Sequence, residues 1–268
     1  MPTIELNGTR LYYEDTGTGD ETILFSHGLL WDRRLFGPQV EALRSDYRCI
    51  AYDHRGQGRS AVPTESTIPI DLLALDAVAL IEKLDLGAVH VVGLSMGGFV
   101  GMRVAAWRPD LVRSLSLLET SADPEPRKNV PRYKALNLVV AVAGPKAVAS
   151  RVMPIMFGKT FLGDPTRAAE RDHWRGILEG NAKTITKSVN GVLQRPSIAD
   201  HLPEIQAPTL VVVGDEDVAT TPAKAQRLVG GIPGARLVTI PGAGHSSTIE
   251  QPEAVTAALR GFLADVPR

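Results

Sequence analysis

One stretch constrains the fold of this chain more than any other: VHVVGLSMGGFVGMRVAAW, residues 89–107. Five β-favouring residues pass through a glycine-dense turn, without a linker, into a long apolar run of helical spacing. A strand that hands over directly to a helix belongs to a parallel sheet whose connecting helices cover its faces. At the corner stands Ser95, with Gly93 and Gly97 two places to either side. A hydroxyl flanked by residues without side chains is either incidental to a tight turn or the reason for the turn.

The flanking sequence repeats the pattern. The N-terminal IELNGTRLYYEDTG reads as a hairpin about Asn7-Gly8, a strong short-range hairpin signal. Short apolar runs then alternate with helical spacing: TILFSHG, DRRLFGPQVEALRSD, YRCIAYD, IPIDLLALDAVALIEKLDL, the 89–107 unit and VRSLSLLE. Between residues 122 and 200 only helix signals occur, one of them starting at Asp164 as N-cap with Pro165 at the first helical position. Strand signals resume in PTLVVVGDED and ARLVTIPGAGH, and the helix PEAVTAALRGFLADV follows. The expectation is an α/β core of residues 1–121 and 201–268, interrupted by a helical cap over 122–200 that roofs the carboxyl ends of the strands, where open α/β sheets bind ligands.

Composition adds exclusions. With 44% hydrophobic and 22% charged residues, a chain of this length buries a sizeable core. A net charge of −1, with basic residues scattered along the sequence, offers no footprint for nucleic acid. The most apolar run, LNLVVAVAGPKAVA, is broken by Asn137, Gly144, Pro145 and Lys146 before it reaches the length of a membrane span. The N-terminus lacks the pattern of a signal peptide. One cysteine, Cys49, rules out a disulfide framework and is expected to be a buried thiol. A cytoplasmic protein with neither a membrane nor a nucleic-acid partner is the expectation; the oligomeric state is left open. RGQGRSAVP lacks the third glycine of a dinucleotide fingerprint and AGPKAVAS the end of a P-loop. No His or Cys pair has metal-ligand spacing, so neither metal nor cofactor is expected.

Functional candidates follow from the corner at Ser95. The bare pattern Gly-x-Ser-x-Gly arises by chance in roughly one chain in ten of this length, but its placement between a strand and a helix fits a nucleophile elbow. Gly98 and Gly101 would let the outgoing helix lie close to the sheet, and the Met96 N–H would point at whatever bonds to Ser95. A serine hydroxyl needs a base. Of six histidines, His90 sits at the wrong end of its strand, His54 in a turn, and His173 and His201 in or beside the helical insertion, where either could touch substrate. His27 is expected to hold its loop. His245, in the loop PGAGHSS after a strand, is the expected base. Its orienting acid is expected to be Asp217 rather than Asp215 or Glu216, since Gly214-Asp215 still completes a turn; Glu119 is the runner-up, otherwise a solvated loop charge. Oxyanion donors are expected from the backbone N–H groups of Met96 and of Leu29, exposed by the bend at Gly28. Trp31, Phe157 and Trp174 are candidates for lining the substrate pocket, with core packing the commoner fate of such aromatics.

SHGLL, YDHRGQGRS, GLSMGG, PTLVVVGDEDVATTP and PGAGHSSTIEQPEAV, in this order along nearly the whole chain, resemble the α/β-hydrolase fold family, only the insertion lying outside the match. The motifs are most similar to those of 3-oxoadipate enol-lactonase-type enzymes and small carboxylesterases. The resemblance implies the triad order serine, acid, histidine, met by Ser95, Asp217 and His245. His-Gly-Leu-Leu replaces the His-Gly-Gly-Gly of another esterase branch, which points away from bulky tertiary-alcohol esters. The implied activity is hydrolysis of a small ester or lactone through an acyl-enzyme; the alternatives are perhydrolase (cofactor-free haloperoxidase) chemistry on the same residues, or a hydrolase-like ligand receptor.

Overall fold

A computed structural model describes residues 2–267. Eight strands form one sheet: β1 (Thr3–Leu6), β2 (Thr9–Asp15), β3 (Thr22–Ser26), β4 (Arg48–Tyr52), β5 (Val89–Leu94), β6 (Val112–Leu118), β7 (Thr209–Gly214) and β8 (Arg236–Ile240). The order across the sheet is β1-β2-β4-β3-β5-β6-β7-β8. The two pairings made by β2 are antiparallel and the others parallel. The hairpin turns at Asn7 and Gly8, both at positive φ, as the Asn-Gly pair anticipates.

Burial explains the strand sequences. β3, β5 and β7 are buried at every residue, the environment of a parallel strand covered on both faces, and their sequences are accordingly apolar without alternation. Their side chains still alternate between two cores. Leu24, Val91, Val211 and Val213 join one, and Ile23, Phe25, Val92, Leu210 and Val212 join the other. Cys49 is buried in the second core, where burial lifts its thiol to about 12.

Helices α1 (Gly37–Leu43), α2 (Ile70–Lys83) and α3 (Met96–Trp107) connect the first strands. Between β6 and β7 run α4 (Val130–Ala143), α5 (Ala149–Met156), α6 (Lys159–Gly163), α7 (Ala168–Glu179) and α8 (Thr186–Gln194), with no strand among the described residues of this segment. Asp164 caps the turn leading into α7 by accepting the Thr166 N–H, with Pro165 behind it. The helices α9 (Pro222–Gly231), α10 (Ser247–Glu250) and α11 (Pro252–Ala264) complete the chain. Among the described residues no helix is long and apolar enough to cross a membrane.

The sheet order places the site. From β3 the chain crosses to β4 on one side and later returns to β5 on the other. The crevice at the carboxyl ends of such a pair is where open α/β sheets bind ligands. β3 ends at Ser26, in register with Gly93 of β5. The loop after β3 and the turn after β5 therefore start side by side.

Candidate active site

Ser95 caps α3 at φ 53° and ψ −110°, a left-handed position for a residue with a side chain. Such strain costs about 1–3 kcal/mol and persists only where neighbours over-determine it. Here the Ser95 N–H donates to the Leu118 carbonyl (2.8 Å), and the Ser95 carbonyl accepts from Thr120 Oγ1 (2.7 Å) and from the N–H groups of Gly98 and Phe99. The glycines are steric requirements. A Cβ on Gly93 would run into the Gly97 carbonyl, and one on Gly97 into the Ser26 carbonyl.

The structure brings His245 and Asp217 to this serine. His245 Nε2 lies 2.9 Å from Ser95 Oγ, and His245 Nδ1 2.9 Å from Asp217 Oδ2. Asp217 also accepts from the N–H groups of Ala219 (2.7 Å) and Thr220 (2.9 Å) on Oδ1, and from Thr220 Oγ1 (2.6 Å) on Oδ2. Burial pushes its carboxyl upward, but His245 and these bonds outweigh that and hold it below the usual aspartate range. An ionised carboxylate only accepts, so His245 Nδ1 carries the proton donated to Asp217, and Nε2 is left to accept from Ser95 Oγ. Asp215 and Glu216 are used elsewhere: Asp215 accepts the Gly242 N–H, and Glu216 the N–H and hydroxyl of Thr160.

Glu119 is not a solvated loop charge. It is fully buried at φ 42°, because the residue after β6 sits over the sheet beside Asp217. Its two oxygens make no hydrogen bond of ordinary geometry, and burial, reinforced by the Asp217 charge, raises its carboxyl well above the usual range.

Around the donor loop the N–H groups are accounted for. The Trp31 N–H donates to the Gly28 carbonyl (3.3 Å) and the Leu30 N–H to Gln57 Oε1 (3.1 Å). The Leu29 N–H, one residue before these two, has no partner among the described residues, and neither has that of Met96 at the open end of α3. Gly28 brings this loop against Ser95: a Cβ there would lie 3.5 Å from the serine Cβ. His27 holds the loop as expected, its Nδ1 donating to the Gly28 carbonyl (2.8 Å) and its Nε2 accepting the His54 N–H (3.0 Å). Burial keeps both imidazoles below the ordinary value and thus neutral.

Three supports had no distinguishing signal in the sequence. Gln57, 3% exposed, fixes Leu30 at φ 74°, and its amide also approaches Met96 Sδ (3.7 Å). Asn181, just beyond α7, donates to the Leu30 carbonyl (2.9 Å). Glu250 takes the N–H groups of Gly158, Gly244 and Ser246 and so fixes the loop that carries His245. Glu250 and Thr220 lie inside EQP and DVATTP, strings that signalled a family but not a role.

Ser95 and His245 open into a cavity of about 160 Å³ between the sheet and the helices of 130–194, lined mainly by aliphatic side chains such as Leu136, Val140, Val152 and Met156. Its polar wall is Arg195, Glu125, Tyr133, Asn137 and Thr220. Trp31, Phe157 and Trp174, candidates for this lining, do not reach it. Trp31 packs against both others, its ring centroid 5.7 Å from that of Phe157 in a tilted arrangement and 5.5 Å from that of Trp174 edge to face, inside the second core. Rings of that area are held where both faces are covered. His173 faces a separate polar cleft, and His201 pairs with Glu204 at the surface, so neither meets the Ser95 cavity. No cluster of three or more His, Cys, Asp or Glu among the described residues is arranged to hold a metal ion.

A family model described as "Alpha/beta hydrolase family" matches residues 23–258. Among solved structures, an esterase from Thermogutta terrifontis is similar with a TM-score of 0.90 and 31% identity, covering 98% of this chain and 97% of that one. The enol-lactonase from Burkholderia xenovorans is similar with a TM-score of 0.91 and 29% identity, covering 98% and 100%. A Mycobacterium tuberculosis protein named "Putative non-heme bromoperoxidase BpoC" is 31% identical over 96% of this chain and 98% of its own length.

Proposed function

Because this chain belongs to the alpha/beta hydrolase family, we propose that it cleaves a small carboxylic ester or lactone through an acyl-enzyme formed on Ser95. The observation that carries the reading is the single hydrogen-bonded line from Ser95 Oγ through His245 to Asp217, each link 2.9 Å, with the serine held at φ 53°. His245 Nε2 takes the hydroxyl proton as Oγ attacks the carbonyl carbon, and Asp217 stabilises the imidazolium that forms. The carbonyl oxygen, now an oxyanion, accepts from the Leu29 and Met96 N–H groups; one such donor is typically worth about 3 kcal/mol. His245 then protonates the leaving alkoxide. It next takes a proton from water, whose hydroxide attacks the acyl carbon, and returns that proton to Ser95 Oγ as the carboxylic acid departs.

The test is Ser95→Ala assayed with p-nitrophenyl acetate. A fall in kcat of about a millionfold is expected; retention of full turnover removes the assignment. A second reading keeps these residues and puts hydrogen peroxide in the place of water, forming a peracid. It is favoured by the likeness to the relative named as a bromoperoxidase. Measuring peracid against free acid in one reaction mixture separates the two.

A further inference from the structure

The helix α4 has two faces of different use. Tyr133, Leu136, Asn137 and Val140 point inward to the cavity. Outward, Leu138 is 66% and Val142 72% exposed, with Val139 also exposed beside them. Val139 and Ala135 wall a groove of about 520 Å³ with Pro154 of α5, and the groove is flanked by Arg132 and Arg151. Exposed aliphatic side chains scattered singly are ordinary; three within five residues of one helix are not.

Charge sets the same region apart. Over the whole sequence the basic residues look scattered, yet seven of the 29 and none of the 30 acidic residues fall between 126 and 163. All seven cations are exposed. Lys159 approaches Glu216; the other six make no ion pair with a described residue. Aliphatic side chains rimmed by uncompensated Lys and Arg are the pattern of a surface that lies on anionic lipid, the apolar part entering the acyl boundary and the long basic side chains reaching headgroups.

We propose that the outer face of α4 and its flanking groove dock this protein on an anionic lipid surface. A second copy of the chain fits poorly, since a two-fold interface sets each patch against itself and would bring the unpaired cations together. The docking rests on the outer side chains alone and not on the role of Ser95.

Flotation of the full-length chain with phosphatidylcholine vesicles, with and without phosphatidylglycerol, tests this. The protein should float with the phosphatidylglycerol vesicles only, and be released in about 1 M salt, where screening acts within roughly 3 Å. Each basic residue near such a surface is worth roughly fivefold in partition. The triple variant Arg132→Gln/Lys134→Gln/Arg151→Gln should therefore lose about 100-fold, and Leu138→Ser/Val142→Ser should also weaken binding. Both variants should hydrolyse p-nitrophenyl acetate like the parent, which shows that they fold. Absence of flotation, equal flotation with neutral vesicles, or flotation indifferent to both variants overturns the proposal. So does a dimer, seen by sedimentation, that Leu138→Ser/Val142→Ser abolishes.

Discussion

Ser95 and Glu119 occupy equivalent corners, each the first residue after a central strand and each at positive φ, yet their environments give them opposite chemistry. Ser95 meets an imidazole. Glu119 meets no cation and lies beside Asp217, whose charge adds to the cost of its own ionisation. The native chain therefore binds a proton at Glu119 more tightly than the unfolded chain does. Above the ordinary value of 4.5, the folded state holds the extra proton and stability falls as pH rises through that window. Glu119→Gln keeps the shape and removes the titration. It should melt at least about 2–4 °C above the parent near pH 8, the equivalent of roughly 1 kcal/mol for a domain of this size, with the gap closing toward about pH 4. Thermal melts across that range check it; a gap that does not vary with pH refutes the buried neutral acid.

At the scale of elements, the strand–turn–helix unit 89–107 was legible because both of its requirements are local: an apolar run for a doubly covered strand and glycines where backbones nearly touch. Gly97→Ala places a methyl on the Ser26 carbonyl, which cannot give way as a side chain would. The expected loss is at least about 1–3 kcal/mol of stability, or an insoluble chain. Gly261→Ala, in α11 with open space around it, should instead gain up to about 1 kcal/mol from helix propensity. Chemical denaturation of the two variants side by side tests the contrast. The helix α4 gave a weaker local signal: its apolar residues lie on both faces, one lining the cavity and one exposed, so no amphipathic stripe marks which side faces inward.

Assembly of the whole molecule decides the size of the cavity beside Ser95. Its walls come from the loop after β3, from α3 and from the helices of 130–194, segments that meet only in the folded state. A dry aliphatic cavity of about 150 Å³ holds one benzene ring, and the one beside Ser95 is about 160 Å³. Turnover of p-nitrophenyl esters, read as kcat/KM, should therefore be greatest for short acyl chains and decline once the chain exceeds roughly the volume of a single ring. A preference for long fatty acyl groups would contradict this. So would a profile unchanged when Val140→Ala enlarges the chamber.

The sequence by itself determined the strand and helix order, the parallel sheet, the serine corner and the loops that carry Asp217 and His245, because strand burial, glycine contacts and strand ends leave marks on neighbouring residues. Only the tertiary structure decided that Trp31, Phe157 and Trp174 fill the core instead of the pocket, that Glu119 is buried, and that Gln57 and Asn181 hold the Leu30 peptide from opposite sides. The physical reason is distance along the chain. Asn181 lies 151 residues from Leu30. A contact of that kind leaves no periodicity for a reader of one sequence, since burial and pairing at such range are set by how the layers pack.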